Sequence, residues 1–373
     1  MLPRRKTKLI KVGNVAIGGG SKISVQTMTK TDTADAVATQ KEIHLLAQEG
    51  CDIVRLAVPN EESANAMPLI CATSPIPIIA DIHFDHKLAL KSLEAGVKGL
   101  RLNPGNLRNP KRITEVVREA KARGVPIRIG VNAGSIAMEY RRKIEAGEMT
   151  LPEAMVESAL VHIRILEDND FDMIKVSLKA SDVINTVEAY RLLGKKCDYP
   201  FHVGITEAGT TKAGTIKSAA GIGILLGEGL CDTIRVSLTD SSVEELYVGH
   251  MLLKAFGLEE QGYDLISCPT CGRLEIDMVP LAHEVEKILD KEKLPIKVTV
   301  MGCVVNGPGE SMDADIGISG GKGMGLIYRG GDIVRRVKEA ELLEAFRAEL
   351  EVVKQEIASG VFHAASQREP HVS

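Results

Sequence analysis

Eight short apolar runs recur along the first two thirds of the chain, and they constrain its fold more than any other feature. They cover residues 23–26, 53–57, 76–80, 99–102, 127–131, 173–177, 201–205 and 233–237. Between them lie amphipathic stretches such as 36–49, 88–95, 110–123 and 152–169, whose apolar residues recur at helical spacing. Strand–helix alternation of this kind belongs to the α/β class, and eight units predict a (β/α)8 TIM-type barrel. An open doubly wound sheet alternates in the same way and stands as the alternative, because ring closure leaves no mark in a sequence. A hairpin over 8–18, turning at Gly13-Asn14, precedes the first run.

The polar residues inside these runs keep a common parity. Arg101 and Asn103 fall on one strand face, as do Arg128, Gly130 and Asn132; Lys175, Ser177 and Lys179; His202, Gly204 and Thr206; and Arg235, Ser237 and Thr239. Asp81 pairs with His83 in the same way, and Arg55 stands alone in its run. Their neighbours Leu100, Leu102, Ile127, Ile129, Ile174, Val176, Ile234 and Val236 take the opposite face. Because strand side chains alternate in direction, the apolar set meets the outer helices and the polar set enters the barrel. Near the C-terminal strand ends that inward set lines the mouth, where barrel enzymes carry their sites. Arg55, Arg101, Arg128, Lys175 and Arg235 come from five different strands, with Lys179 just beyond Lys175. Like charges gathered in a barrel call for an anion, and guanidinium groups bind phosphate oxygens in pairs. A phosphorylated substrate is the expectation.

The last third of the chain carries a different chemistry. Cys268-Pro269-Thr270-Cys271 sets two thiols on one turn, and Cys303 follows Cys271 by 32 positions within Gly302-Cys303-Val304-Val305-Asn306-Gly307-Pro308-Gly309-Glu310. Gly307-Pro308-Gly309 bends tightly enough to bring Cys303 and Glu310 to one point. Three sulfurs and one carboxylate suit an iron–sulfur cluster with one iron held differently from the rest. They suit a closed zinc site poorly, although Cys-x-x-Cys by itself is shared by zinc sites, redox pairs and clusters. His283 could complete a zinc site, but it lies in a run with helical periodicity and reads as a solvated helix face. The remaining cysteines, Cys51, Cys71, Cys197 and Cys231, read as packed thiols.

The boundaries of this layout are expected at 1–257 for the barrel, 258–360 for a second domain holding the cysteine motif and entered through a linker over 258–265, and 361–373 for a flexible tail. In the second domain a helix is expected near 278–291, a strand at 296–301, strands near 316–318 and 325–328, and one long helix over 332–358. A net charge of −4 in 373 residues gives no basic field for nucleic acid. No apolar run is long enough to span a bilayer, and no secretory signal follows the basic start. Seven cysteines, an odd number, fit a reducing compartment, so a cytoplasmic location is expected.

The two-part cysteine signature resembles that of the 4-hydroxy-3-methylbut-2-enyl diphosphate synthases of the non-mevalonate isoprenoid pathway, in their bacterial two-domain form. Ser24-Val25-Gln26-Thr27-Met28-Thr29, Arg101-Leu102-Asn103-Pro104-Gly105-Asn106, Gly130-Val131-Asn132-Ala133-Gly134-Ser135 and Gly204-Ile205-Thr206-Glu207-Ala208-Gly209 extend the resemblance through nearly the whole chain. It implies an oxidoreductase that opens and dehydrates 2-C-methyl-D-erythritol 2,4-cyclodiphosphate with two electrons. It implies a [4Fe-4S] cluster on Cys268, Cys271, Cys303 and Glu310, and flavodoxin or ferredoxin as electron donor. It further implies a homodimer in which the cluster domain of one subunit caps the barrel of the other. On this reading Arg55, Asp81, Arg101, Asn103, Arg128, Asn132, Lys179, Arg235 and Ser237 bind the substrate. Glu310, a harder and more exchangeable ligand than a thiolate, is expected to yield its place to a substrate oxygen, and Glu207 to supply a proton to the leaving hydroxyl. A zinc-dependent lyase acting on a phosphorylated sugar, and a non-catalytic scaffold, are the competing classes.

Overall fold

The computed structural model describes residues 1–82, 85–102, 110–259, 262–305, 307–321 and 323–364. The chain divides into two compact units, Met1–Glu259 and Glu260–Ser373. The first opens with an antiparallel hairpin of β1 (Ile10–Val12) and β2 (Val15–Ile17). Eight strands follow: β3 (Ser24–Met28), β4 (Ile53–Ala57), β5 (Ile78–Ile82), β6 (Gly99–Leu102), β7 (Ile127–Asn132), β8 (Ile174–Lys179), β9 (His202–Val203) and β10 (Thr233–Ile234). They pair in parallel in the order β8-β7-β6-β5-β4-β3-β10-β9. A parallel bridge between Val176 and Phe201 joins the two ends of that order. The sheet therefore closes into a TIM-type barrel, which decides the question that periodicity leaves open.

The outer helices begin where a short polar side chain can cap them. Asp35, Asn60, Asp85, Asp182 and Ser241 each accept a backbone N–H from the first turn that follows, and Thr150 forms a reciprocal capping box with Glu153. Each cap contributes about 1 kcal/mol and fixes where its helix begins. Between strands and helices the outward residues, among them Val54, Leu56, Ala80, Leu100, Ile129, Val176 and Ile234, form one continuous core. The inward residues at the N-terminal end behave differently. Ile53 and Ile79 pack with Ile10, Val12 and Ile17 of the hairpin, so the floor of the barrel is apolar. Arg5 secures the arm leading to that hairpin, donating to the carbonyls of Cys197 and Tyr199 at 2.6 and 2.5 Å. Above the floor the interior is left to the polar set.

The second unit is a five-stranded sheet in the order β11 (Asp264–Ser267), β12 (Lys297–Met301), β13 (Ile316–Gly321), β14 (Met324–Arg329) and β15 (Asp332–Lys338). The first three strands are parallel and the last three antiparallel. Helices Met278–Glu292 and Leu342–Ser359 share its core with Val298, Val300, Ile316, Ile318 and Phe346. Two expectations are corrected here. Residues 264–267, assigned in part to a linker, form a strand. Residues 332–338 are also a strand, and the helix starts only at Leu342. Gly330 and Gly331, at φ +55° and +92°, supply the tight turn that folds 332–338 back on β14. The β-branched Ile333, Val334 and Val337 suit that strand better than a helix. Among the described residues no helix is long and apolar enough to cross a membrane.

Candidate active site and cysteine loop

Arg55, Asp81, Arg101 and Arg128 stand on four consecutive barrel strands and are buried. Asp81 sits among the cations. Arg101 Nη1 donates to its Oδ1 at 2.9 Å, and Arg55 Nε lies 3.4 Å from its Oδ2. Burial lowers Arg55 to about 10 even though Asp81 opposes the shift. Arg128 is pushed well below the ordinary guanidinium value, first by burial and then by Arg55 and Arg101. Lys179 is lowered for the same reason, with Arg235 and Arg128 as its nearest like charges. Arg235 Nη2 reaches both carboxylate oxygens of Glu245 at 3.3 Å. Arg55, Arg128 and Lys179 are thus held in a low-dielectric site that favours their losing charge, and an anion entering among them reverses that preference.

Two glycines make this crowding possible. A Cβ on Gly130 would lie 2.7 Å from Arg101 Nε. A Cβ on Gly204 would collide with the Arg235 carbonyl and lie 2.7 Å from Lys179 Nζ. Asn132 ends β7 half-buried, and Ser237, also half-buried, follows Arg235 by two positions. Glu207 is exposed on the loop after β9 and holds φ +51°, a left-handed conformation that costs a non-glycine residue about 1 kcal/mol or more. Asn103 and His83 lie outside the described residues.

In the second unit, Cys268 and Cys303 leave the C-terminal ends of neighbouring parallel strands, β11 and β12. Cys268 N–H still donates to Val300 at 3.0 Å, continuing the ladder. The loop beyond Cys271 folds back on Gly302, whose carbonyl accepts Glu275 N–H at 2.9 Å and whose missing side chain is replaced by Leu274. Thr270, between the paired cysteines, is left-handed at φ +67°. Arg273 lies close enough to feel all three sulfurs and lowers the Cys271 thiol, chiefly by a hydrogen bond. Glu310 is exposed on the short helix Gly307–Met312, whose first N–H donates to the Cys303 carbonyl at 3.3 Å. Among the described residues no three His, Cys, Asp or Glu side chains converge closely enough for a single metal ion. A cluster with several irons takes one ligand at each, so its ligands need not meet at a point.

Residues 7–250 match the family model described as the GcpE TIM-barrel domain, and residues 264–352 match the GcpE protein C-terminal domain. The chain belongs to the GcpE family. Its similarity to other GcpE-family proteins runs end to end. It is 57% identical over 350 residues to a protein of Geobacter sulfurreducens named 4-hydroxy-3-methylbut-2-en-1-yl diphosphate synthase (flavodoxin), covering 94% of this chain and 98% of that one. Proteins of the same name from Symbiobacterium thermophilum and Lawsonia intracellularis are 53% and 52% identical, over 96% and 94% of this chain and 95% and 97% of theirs.

Against the sequence reading, the GcpE barrel brings Arg55, Asp81, Arg101, Arg128, Lys179 and Arg235 together. Two residues of the same interior, Glu245 and His202, were not singled out as binding groups, and Lys175 was counted among the cations without being assigned to the substrate. Lys175 and His202 share the inward parity and were legible by it. Glu245 was not, because a glutamate on an outer helix reads as surface. His283 is exposed on its helix, as its periodicity suggests.

Proposed function

We propose that this chain catalyses the reductive ring opening and dehydration of 2-C-methyl-D-erythritol 2,4-cyclodiphosphate to 4-hydroxy-3-methylbut-2-enyl diphosphate. The observation that carries the reading is the set of buried Arg55, Arg101, Arg128 and Lys179 and half-buried Arg235 in a barrel interior with Asp81 and Glu245 as its carboxylates among the described residues. Two electrons enter, the bond from a ring carbon to a diphosphate oxygen breaks, and the neighbouring hydroxyl leaves as water after taking a proton. The departing diphosphate oxygen gains negative charge as the ring opens. Cations fixed in advance by Asp81 and Glu245 are therefore worth more in the transition state than in the bound substrate. Glu207, exposed at the strand ends on a strained backbone, is the group we assign to proton delivery, with Asn103, Asn132 and Ser237 as neutral donors to substrate oxygens.

Cys268, Cys271, Cys303 and Glu310 are the residues that would hold a [4Fe-4S] cluster. The fit rests on the donor set, on the loop that Gly302 allows to close over β12, and on Arg273 beside the sulfurs. Such a cluster supplies single electrons in succession to the bond being reduced. The names of the relatives, which include flavodoxin, support flavodoxin as the donor. A homodimer and a reducing, cytoplasmic setting belong to the same reading, supported by the family resemblance and by seven cysteines that are all free.

Anaerobically purified protein is expected to be brown, with about four irons per chain and a broad band near ~400 nm, and to form the linear diphosphate when given reduced flavodoxin. Colourless protein holding about one zinc per chain overturns the reading in favour of a zinc-dependent lyase. Glu310→Ala is expected to fold and to lose turnover by about 100-fold, the scale on which a ligand-sphere change acts. Wild-type turnover in that variant removes Glu310 from the ligand set.

A further inference from the structure

Arg55 is held in the barrel by a softer partner than Arg101 or Arg235. Arg101 is hydrogen-bonded to Asp81, and Arg235 to both carboxylate oxygens of Glu245. Arg55 pairs with Asp81 by charge, Nε to Oδ2 at 3.4 Å, but among the described residues its guanidinium hydrogen-bonds only to the thioether of Met28. Nε lies 3.4 Å and Nη2 3.2 Å from that sulfur. Those two nitrogens form one edge of the planar fork, with the geometry that grips two oxygens of a phosphate. The backbone that carries the sulfur is fixed in place. Met28 ends β3 as the register partner of Arg55 on β4, so the two side chains leave adjacent strands toward one face. Its carbonyl accepts Ser242 Oγ at 2.8 Å, and the N–H of Thr29 donates to the Arg55 carbonyl at 3.1 Å. Met28 is half-buried and Arg55 is 8% exposed, so little water competes for these donors.

A thioether is a weak acceptor. It can aim a guanidinium, yet a phosphate oxygen, whose charge-assisted bonds are roughly twice as strong as neutral ones, displaces it at little cost. A carboxylate or an amide in its place would compete with the ligand, and an aliphatic side chain would leave the fork unaimed. We propose that Met28 is a positioning residue for substrate binding: its thioether holds the Nε–Nη2 edge of Arg55 ready and yields that edge to a phosphate oxygen. The inference rests on the barrel interior being the diphosphate site, and it adds how Arg55 is kept available there. Asp81 balances the charge of Arg55 while giving its hydrogen bond to Arg101, so the sulfur is the acceptor that Arg55 exchanges.

Holoenzyme labelled isotopically at its methionine methyls tests this by NMR. The Met28 methyl resonance, one of twelve and assigned by its Overhauser contacts with Arg55 and Thr29, is expected to shift as inorganic diphosphate is added. A resonance that does not move overturns the proposal. This probe does not depend on which substrate is turned over, so wild-type holoenzyme that leaves the cyclic diphosphate unconverted counts against the functional reading alone. In steady state, Met28→Gln offers a strong acceptor at similar reach and is expected to raise KM for the cyclic diphosphate about tenfold with kcat unchanged, because Arg55 then has a full hydrogen bond to give up. Met28→Leu offers no acceptor and is expected to raise KM less, again at constant kcat. The reverse order would mean that any acceptor serves, and wild-type KM in both variants would mean that Met28 only packs; either result overturns the proposal. Should the variants fail to fold, the diphosphate titration of the wild-type methyl decides alone.

Discussion

Gly130 and Gly204 show how the barrel accommodates cations that would otherwise exclude one another. Neither has a positive φ, so neither is glycine for its own backbone conformation; at Gly130 the Arg101 guanidinium fills the space of a side chain, and at Gly204 the Arg235 carbonyl and then Lys179 do. The two should fail differently. A methyl on Gly130 meets the guanidinium of Arg101, the far end of a flexible side chain that Asp81 holds at 2.9 Å. Gly130→Ala is therefore expected to fold, to raise KM for the cyclic diphosphate about tenfold, or ~1.4 kcal/mol, and to leave the melting temperature nearly unchanged. A methyl on Gly204 meets the Arg235 carbonyl, which is backbone and cannot step aside. Gly204→Ala should cost about 2 kcal/mol of stability, in the range of overpacked cores. Thermal melts and steady-state kinetics on both variants separate the two cases, and equal loss of stability would contradict this reading of Gly130.

Among the elements, the helix Ser242–Ala255 does more than cover β3 and β10. Its Glu245 is 2% exposed and its carboxylate accepts from Thr27 Oγ1 at 2.6 Å and Leu238 N–H at 3.0 Å while facing Arg235. One side chain thus ties a strand, a loop and the Arg235 guanidinium to one helix. Removing it strips the half-buried Arg235 of its counter-ion and the Leu238 N–H of its acceptor, and Glu245→Ala is expected to cost about 3 kcal/mol, the low end for breaking a buried pair. Glu245→Gln keeps an acceptor for Leu238 and should lie between, with weakened substrate affinity as its main effect. Chemical denaturation with binding measurements on the pair checks this, and a Gln variant of wild-type affinity would limit Glu245 to a structural role. The helix itself was legible in the sequence, because apolar period and cap are local. The role of Glu245 was not, because its partners lie 218, 10 and 7 positions away. The same limit explains 332–338, where the pairing with β14 overrides a period that, read locally, runs on into the helix Leu342–Ser359. Strand parity, by contrast, placed Arg55, Arg101, Arg128 and Arg235 in one interior without any partner being known, since alternation is a property of each strand alone.

At the scale of the whole chain, the two units have separate cores and carry separate chemistry. The barrel closes on apolar surface at both its floor and its outer layer. The second unit is smaller and brings its cysteine loop together with little apolar packing. Cys271 is exposed, Cys268 is half-buried, and Thr270 between them holds a strained φ. Ligation is expected to stabilise such a loop because the donors are brought together only in the folded state. Removing iron from the holoenzyme should therefore lower the melting of residues 260–364 and leave that of residues 1–259 where it was. Calorimetry resolves this as two transitions, of which only one moves on chelation, and limited proteolysis should cut first in the stretch 268–275. A single transition that shifts as one would mean that the barrel draws its stability from the cysteine-bearing unit. The cation cluster would then be held in register from outside the barrel rather than by Asp81 and Glu245, and substrate affinity would fall with iron content even before turnover is measured.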